Sequence, residues 1–156
     1  MRRSEREVTD KNEIFEILSS CQVVRVAFFD DEYPYIVPLS FGAEKEGETV
    51  AVYFHCASDG KKVKLIEKNN RVCVEADVFD GYHGEGMQIT TLYKSVIGFG
   101  KVQKCEGDEK VKGLRLLMEH CGYSPTDEML KTCASFEKVA IYKITLDSVT
   151  GKKNVL

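Results

Sequence analysis

Between Gln22 and Cys56 the chain runs through three alternating segments separated only by short polar turns. Gln22 to Phe29 places Val24, Val26 and Phe28 on one face, Asp30-Asp31-Glu32 turns the chain, and Tyr33 to Glu44 reads as a second strand. Lys45-Glu46-Gly47-Glu48 turns it again, and Thr49 to Cys56 sets Val50, Val52 and Phe54 opposite Ala51, Tyr53 and His55. Parallel neighbours need a crossover of a dozen or more residues, so strands joined this closely are antiparallel, and a doubly wound α/β sheet is excluded.

The rest of the chain adds strands to this meander and a few helices. Thr9-Asp10 precedes Ile14, Ile17, Leu18 and Cys21, the stripe of a short amphipathic helix with a cap. Lys61 to Lys68 reads as a short helix closed by Asn69-Asn70, and Arg71 to Val78 as a fourth strand. Phe79 to Gln88 holds Gly81, Gly84 and Gly86 and reads as a mobile loop or lid, since it lacks the strand-then-helix setting of a dinucleotide fingerprint. Ile89 to Cys105 is a long strand in which Gly98-Phe99-Gly100 predicts a bend or a close backbone approach. Gly107-Asp108-Glu109 opens a helix carrying Val111, Leu114, Leu117, Met118 and Cys121. Ser124-Pro125-Thr126-Asp127-Glu128 starts another that runs to about Ser135. Lys138 to Leu146 is the last strand and Thr150 to Leu156 a polar tail. The expected fold is a single, mainly β domain over residues 1–156, six antiparallel strands in a small barrel with flanking helices.

Composition narrows the function classes. With 22 Lys and Arg against 25 Asp and Glu, a net charge of -3, non-specific nucleic-acid binding is not the expected task. No run approaches the ~18 apolar residues of a membrane span, and the residues after Met1-Arg2-Arg3 are acidic and polar, so a cytoplasmic location is expected. Cys21, Cys56, Cys73, Cys105, Cys121 and Cys133 are widely spaced, which fits reduced thiols and no metal site. Glu75 and Asp77 alternate with Val74 and Ala76 and read as a wet face.

Two features carry chemistry. Pro38 falls inside Tyr35-Ile36-Val37-Pro38-Leu39-Ser40-Phe41, and a residue without an N–H marks an edge strand, a bulge or a departure from the neighbouring strand. Lys61 and Lys62 occupy the first turn of a helix, where the macrodipole disfavours positive charge. Solvated lysines explain that placement, and so does an anion: helix-start N–H groups and two ammonium groups together make a phosphate cradle.

These segments, together with Lys94-Ser95-Val96-Ile97-Gly98-Phe99-Gly100-Lys101, resemble the flavin-binding split barrels of the pyridoxamine 5'-phosphate oxidase superfamily. The resemblance is greatest to the nitroimidazole-resistance (Nim-type) flavoproteins. It is carried by Met1-Arg2-Arg3 with Arg6-Glu7-Val8, Tyr33 to Gly42, Tyr53-Phe54-His55-Cys56-Ala57 with Gly60-Lys61-Lys62, Tyr93 to Lys101, and Thr150-Gly151-Lys152. It implies a homodimer of split β-barrels with FMN in a groove between subunits. By position, Lys61 and Lys62 would hold the FMN phosphate with help from His55 and Cys56. Val37, Pro38, Leu39 and Ser40 would line the isoalloxazine ring. Ser95 and Val96 stand where the oxidase has a flavin-contacting glutamine and an apolar residue, and a serine, being shorter, would lose that contact or make it through water.

Departures shape the functional expectation. The chain has no tryptophan, and it ends soon after Thr150-Gly151, without the segment that brings arginine and histidine to the vitamin substrate in the oxidase. Pyridoxamine phosphate oxidation is therefore not expected. The resemblance points to an oxidoreductase that takes electrons from a small-molecule donor and passes them to a small electron-poor acceptor such as a nitroimidazole, with His55 or solvent delivering protons. Alternatives are a non-catalytic protein that stores flavin or transfers electrons, and a heme-binding barrel using a histidine ligand.

Overall fold

The computed structural model describes residues 3–132 and 138–156. After one turn of 3-10 helix at Ser4–Arg6, the elements run β1 (Glu7–Val8), α1 (Lys11–Ser20), β2 (Val24–Phe28), β3 (Tyr35–Leu39), β4 (Gly42–Glu46), β5 (Thr49–Cys56) and α2 (Lys61–Lys68). They continue with β6 (Arg71–Glu85), β7 (Gln88–Lys104), α3 (Gly107–His120), α4 (Asp127–Thr132) and β8 (Ala140–Asn154). One antiparallel sheet contains all eight strands in the order β3-β2-β6-β7-β8-β5-β4, with β1 paired to β8. The strands at the two ends of this path, β3 and β4, are joined by only Ser40 and Phe41. A link that short forces the sheet to curl until its ends meet, yet no ladder joins β3 to β4: the barrel is split at that seam.

Alternation selects what fills the barrel. Val24, Val26 and Phe28 of β2, Val50, Val52 and Phe54 of β5, Val72 and Val74 of β6, and Tyr142 and Ile144 of β8 form one buried cluster. The α1 helix adds Ile14, Ile17 and Leu18 to it. Asp10 caps α1 by accepting the Glu13 N–H at 2.8 Å. On the other face of β5, Ala51 and Tyr53 pack with Ile141 and Cys105 beneath α3. Gly113 lets α3 approach: a Cβ there would stand 2.6 Å from Tyr53 Cδ1. The Tyr53 hydroxyl is hydrogen-bonded to Glu44 and, at 2.6 Å, to Glu109, and Lys143 reaches both carboxylates at 3.1 and 2.9 Å. Burial pushes the Tyr53 phenol up, and the two carboxylates push it further.

Four expectations need correction. The strand count is eight rather than six, because Tyr33 to Glu44 breaks after Leu39 into β3 and β4 and because Glu7-Val8 forms a short strand of its own. Phe79 to Gln88 is no loop: β6 and β7 continue as a ribbon to Glu85 and Gln88, with Gly81 at a bulge (φ 100°) and Gly86 in the turn (φ 61°), both left-handed conformations that favour glycine. The polar tail is mostly strand, since β8 runs to Asn154 between β7 and β1. Thr126, not Ser124, caps α4, its hydroxyl accepting the Met129 N–H at 3.2 Å. The expected run of α4 to Ser135 extends into residues outside those described, as does Cys133. Gly98-Phe99-Gly100 behaves as expected: β8 carries Asp147 as an extra residue opposite this point, and the Thr145 carbonyl fills the space a Cβ on Gly100 would need. Among the described residues no disulfide forms and no cluster suits a metal ion.

Candidate functional site

Proline is tolerated in β3 because β3 is an edge strand, and the strand ends one residue after it. Pro38 lies opposite Arg25 of β2. Val37 and Leu39 turn inward against the core cluster, while Pro38 and Ser40 are exposed on the outer side. The backbone edge of β3 facing the seam is thus left without a ladder partner.

Helix α2 sits at the end of β5 and spans toward that edge. Gly60 precedes it with φ 140°, no side chain caps it, and its first turn holds no acid. The first N–H groups of a helix have no intrahelical acceptor, so those of α2 remain available. Its two leading lysines are unlike each other. Lys61 is exposed and ion-paired to Asp30 at 2.7 Å, with its ammonium 4.6 Å from the centre of the Tyr35 ring. The hydrogen bond to Asp30 raises the Lys61 pKa and lowers that of Asp30. Lys62 is half-buried, its ammonium 5.2 Å from the centre of the buried Phe54 ring, and has no ion-pair partner among the described residues. Burial holds its ammonium below the ordinary lysine value, offset in part by the neighbouring Cys56. Burial likewise pushes the Cys56 thiol up, against the pull of Lys62. A desolvated ammonium without a counter-charge, beside an uncapped helix start, is an arrangement that a bound phosphate stabilises.

The structure places Val37, Pro38, Leu39 and Ser40 on the β3 edge, with Val37 and Leu39 packed against the same core cluster as Cys56, while Lys61 reaches Asp30 and Tyr35 and Lys62 lies over Phe54 of β5. It does not bring the remaining three to them within one chain. His55 is exposed at the end of β5 but leaves the opposite face from Phe54 and Cys56, the face shared with Tyr53. Ser95 and Val96 lie on β7, three strands along from β3. Val96 is buried in the barrel core, whereas Ser95 faces outward opposite Asp77 and Lys152. Sequence reasoning missed Asp30, Tyr35 and Phe54. Asp30 passed for a turn residue and the aromatics for ordinary strand alternation; only the fold shows that they neighbour the two lysines.

A concavity lies on the outer face of the sheet. It is a groove of about 430 Å³ lined by Ala27, Phe29, Pro34, Cys73 and Phe99, with Asp30 at its rim. None of the ten residues expected from the sequence lines it. Asp30, bonded to Lys61, connects the groove to the start of α2.

The sequence profile of the pyridoxamine 5'-phosphate oxidase family matches residues 10–153. The chain belongs to that family. Its split-barrel fold recurs in solved structures. A candidate 5-nitroimidazole antibiotic resistance protein of Bacteroides thetaiotaomicron is 26% identical, with a TM-score of 0.77 over 94% of this chain and 85% of that one. An FAD-binding protein of Mesorhizobium loti is 23% identical, with a TM-score of 0.67 over 96% and 98%. The flavocytochrome Anf3 of Azotobacter vinelandii is 18% identical, with a TM-score of 0.77 over 100% and 72%. No curated protein matches the chain at a significant level. Among the described residues no helix is long and apolar enough to cross a membrane.

Proposed function

We propose that this chain is a flavoprotein that binds FMN at the split-barrel seam, works as a homodimer, and transfers electrons from a small-molecule donor to a small electron-poor acceptor of the nitroimidazole kind. The observation that carries the reading is the contrast at the start of α2: a half-buried Lys62 with no carboxylate partner among the described residues, beside helix N–H groups that no side chain caps. Structural neighbours described as an FAD-binding protein and a flavocytochrome support a flavin as the cofactor class.

On this reading Lys62 and the first N–H groups of α2 hold the phosphate, and Lys61, tied to Asp30, supplies a more distant positive charge. The unpaired edge of β3 from Val37 to Ser40 lies along the ring system and offers it backbone donors and acceptors. The flavin, when bound, would supply the hydride-accepting and hydride-donating chemistry that side chains lack. Protons come from solvent or from His55 at the strand end.

The dimer is supported by the outer face of the sheet. Phe29, Ile36, Ile97 and Phe99 are exposed there by 43–59%, around the apolar groove. Exposed apolar surface of this kind marks an interface. Ser95 shares that face, so it would reach the flavin of the second copy rather than that of its own chain.

A heme reading has some support, because one relative is a flavocytochrome. The histidines favour flavin instead. His120 is bonded to the Cys21 carbonyl at 2.8 Å and packs at a tilt against Phe41, while His55 and His83 are exposed. The test is anaerobic reduction of the FMN-loaded dimer with NADH or NADPH, followed by addition of a nitroimidazole. Bleaching and recovery of the flavin band support an oxidoreductase. A flavin that no donor reduces makes the protein a binder.

A further inference from the structure

The β6–β7 ribbon extends beyond every strand that could support it. On one side β2 pairs with β6 no further than Glu75, and on the other β8 ends its pairing with β7 at Tyr93. In the ladder, residues 81–92 pair only with one another, and the Asn154 side chain at the end of β8 holds the base of the arm by donating to the Thr90 hydroxyl at 3.0 Å and to the Thr91 carbonyl. Residues 81–92 form a two-stranded arm of five or six residues a side, about 17–20 Å long. An isolated two-stranded ribbon is marginal in water and needs a further strand or a packing surface.

The arm is also apolar on one side. Ile89 follows the alternation of Ile97 and Phe99 on β7, so it shares their outward face. On β6 the irregularity at Asp80 keeps both Phe79 and Tyr82 on that face, and their rings meet edge to face at 5.2 Å. Phe79, Tyr82 and Ile89 are 57–76% exposed, and Met87 at the tip is fully exposed. Between this strip and the groove on the sheet lie Ser95 and the ion pairs of Arg25 with Glu75 and Asp77.

Charge separates arm from root. Residues 79–92 include Asp80 and Glu85 and no Lys or Arg. At the root, the Lys152 ammonium stands 5.5 Å from the centre of the Tyr93 ring, and against the effect of burial Lys152 and Arg6 hold the Tyr93 phenol below its ordinary value. Neither forms an ion pair among the described residues, although Glu7 lies opposite Lys152 in the β1–β8 ladder. A two-fold pair makes every contact twice, so an acidic apolar arm and a basic root on one chain are complementary to each other across the axis.

We propose that the β6–β7 arm is a clasp that packs, through Phe79, Tyr82 and Ile89, on a second copy of this chain. The inference rests on the homodimer proposed above and adds the element that secures it. Two variants test it. One replaces Asp80 to Leu92 by Asn-Gly, a two-residue hairpin turn that keeps Phe79 opposite Tyr93. The other, Tyr82→Glu with Ile89→Glu, leaves the ribbon intact and charges its apolar strip. Mass is measured by analytical ultracentrifugation over a dilution series, with circular dichroism to verify folding.

The expected result is a dimeric wild type and folded variants whose dimer dissociates about tenfold or more readily, as when an interfacial aromatic anchor is lost. A dimeric wild type with unchanged dissociation in the folded variants overturns the clasp and leaves the dimer standing. A monomeric wild type overturns the dimer itself. Where the shortened chain fails to fold, the double glutamate variant decides.

Discussion

Removing one of two adjacent lysines should have very unequal effects. Lys61 is exposed and already neutralised by Asp30, so Lys61→Ala should weaken FMN only slightly. Lys62 is half-buried and has no carboxylate partner among the described residues, so a phosphate would be its principal counter-charge. A hydrogen bond involving a charged group contributes about 1.5–3 kcal/mol, and 1.4 kcal/mol is about tenfold in affinity. Lys62→Ala should therefore weaken FMN on the order of ten- to a hundredfold and leave riboflavin nearly unchanged. Isothermal titration of both ligands against both variants measures this.

Proton linkage gives the same site a second signature. Burial lowers the Lys62 pKa in the free protein and a bound phosphate would raise it, so binding takes up protons. FMN affinity should fall as alkaline pH rises through the lowered value, before an ordinary lysine at 10.5 would titrate, and Lys62→Arg should hold affinity to higher pH. Equal losses for the two lysine variants, or equal losses for FMN and riboflavin, would refute the assignment of Lys62 to the phosphate.

Other outcomes follow from the fold. Tyr53→Phe leaves Glu44 and Glu109 without the hydroxyl between them and should lower stability by about 1–3 kcal/mol in urea unfolding at neutral pH. Hydrogen bonds from Tyr53 and Lys143 hold Glu109 below its ordinary value; Glu44, which burial alone would raise, is brought down by Lys112, Tyr53 and Lys143. The stability they contribute is present above the unfolded carboxylate value of 4.5 and should be lost as pH falls through the lower folded values, shown by a falling melting temperature. Gly100→Ala drives a methyl into the Thr145 carbonyl and should destabilise by about 1–3 kcal/mol or more; an unchanged melting temperature would mean that the β7–β8 bulge relaxes freely. Burial pushes Cys21 and Cys105 up to about 11, so both should resist alkylation in the native chain at neutral pH.

Much of the barrel was legible because its strands obey local rules. The alternation in β2 and β5 and the capped stripe of α1 need no tertiary information, and of the three readings Pro38 allowed, an edge, a bulge or a departure, the fold has the edge. Local rules failed where glycine and charge have a second use. Gly81, Gly84 and Gly86 read as loop punctuation, yet Gly81 serves a bulge and Gly86 a turn inside one long ribbon. Lys152, Lys153 and Asn154 read as a tail, yet their backbone is paired to β7 while the side chains stay partly wet. At the site, the sequence located both lysines but could not tell them apart. Their difference arises from Asp30, thirty-one residues earlier, which the curled sheet brings to Lys61 and not to Lys62.

The central claim is most directly tested by the chromophore of the purified dimer, released by denaturation and identified by chromatography, with FMN titrated into any colourless fraction. The account predicts a yellow protein releasing FMN, or a colourless one that takes up FMN stoichiometrically and quenches its fluorescence. A folded chain that neither carries FMN nor binds it, or one that releases heme alone, would contradict it.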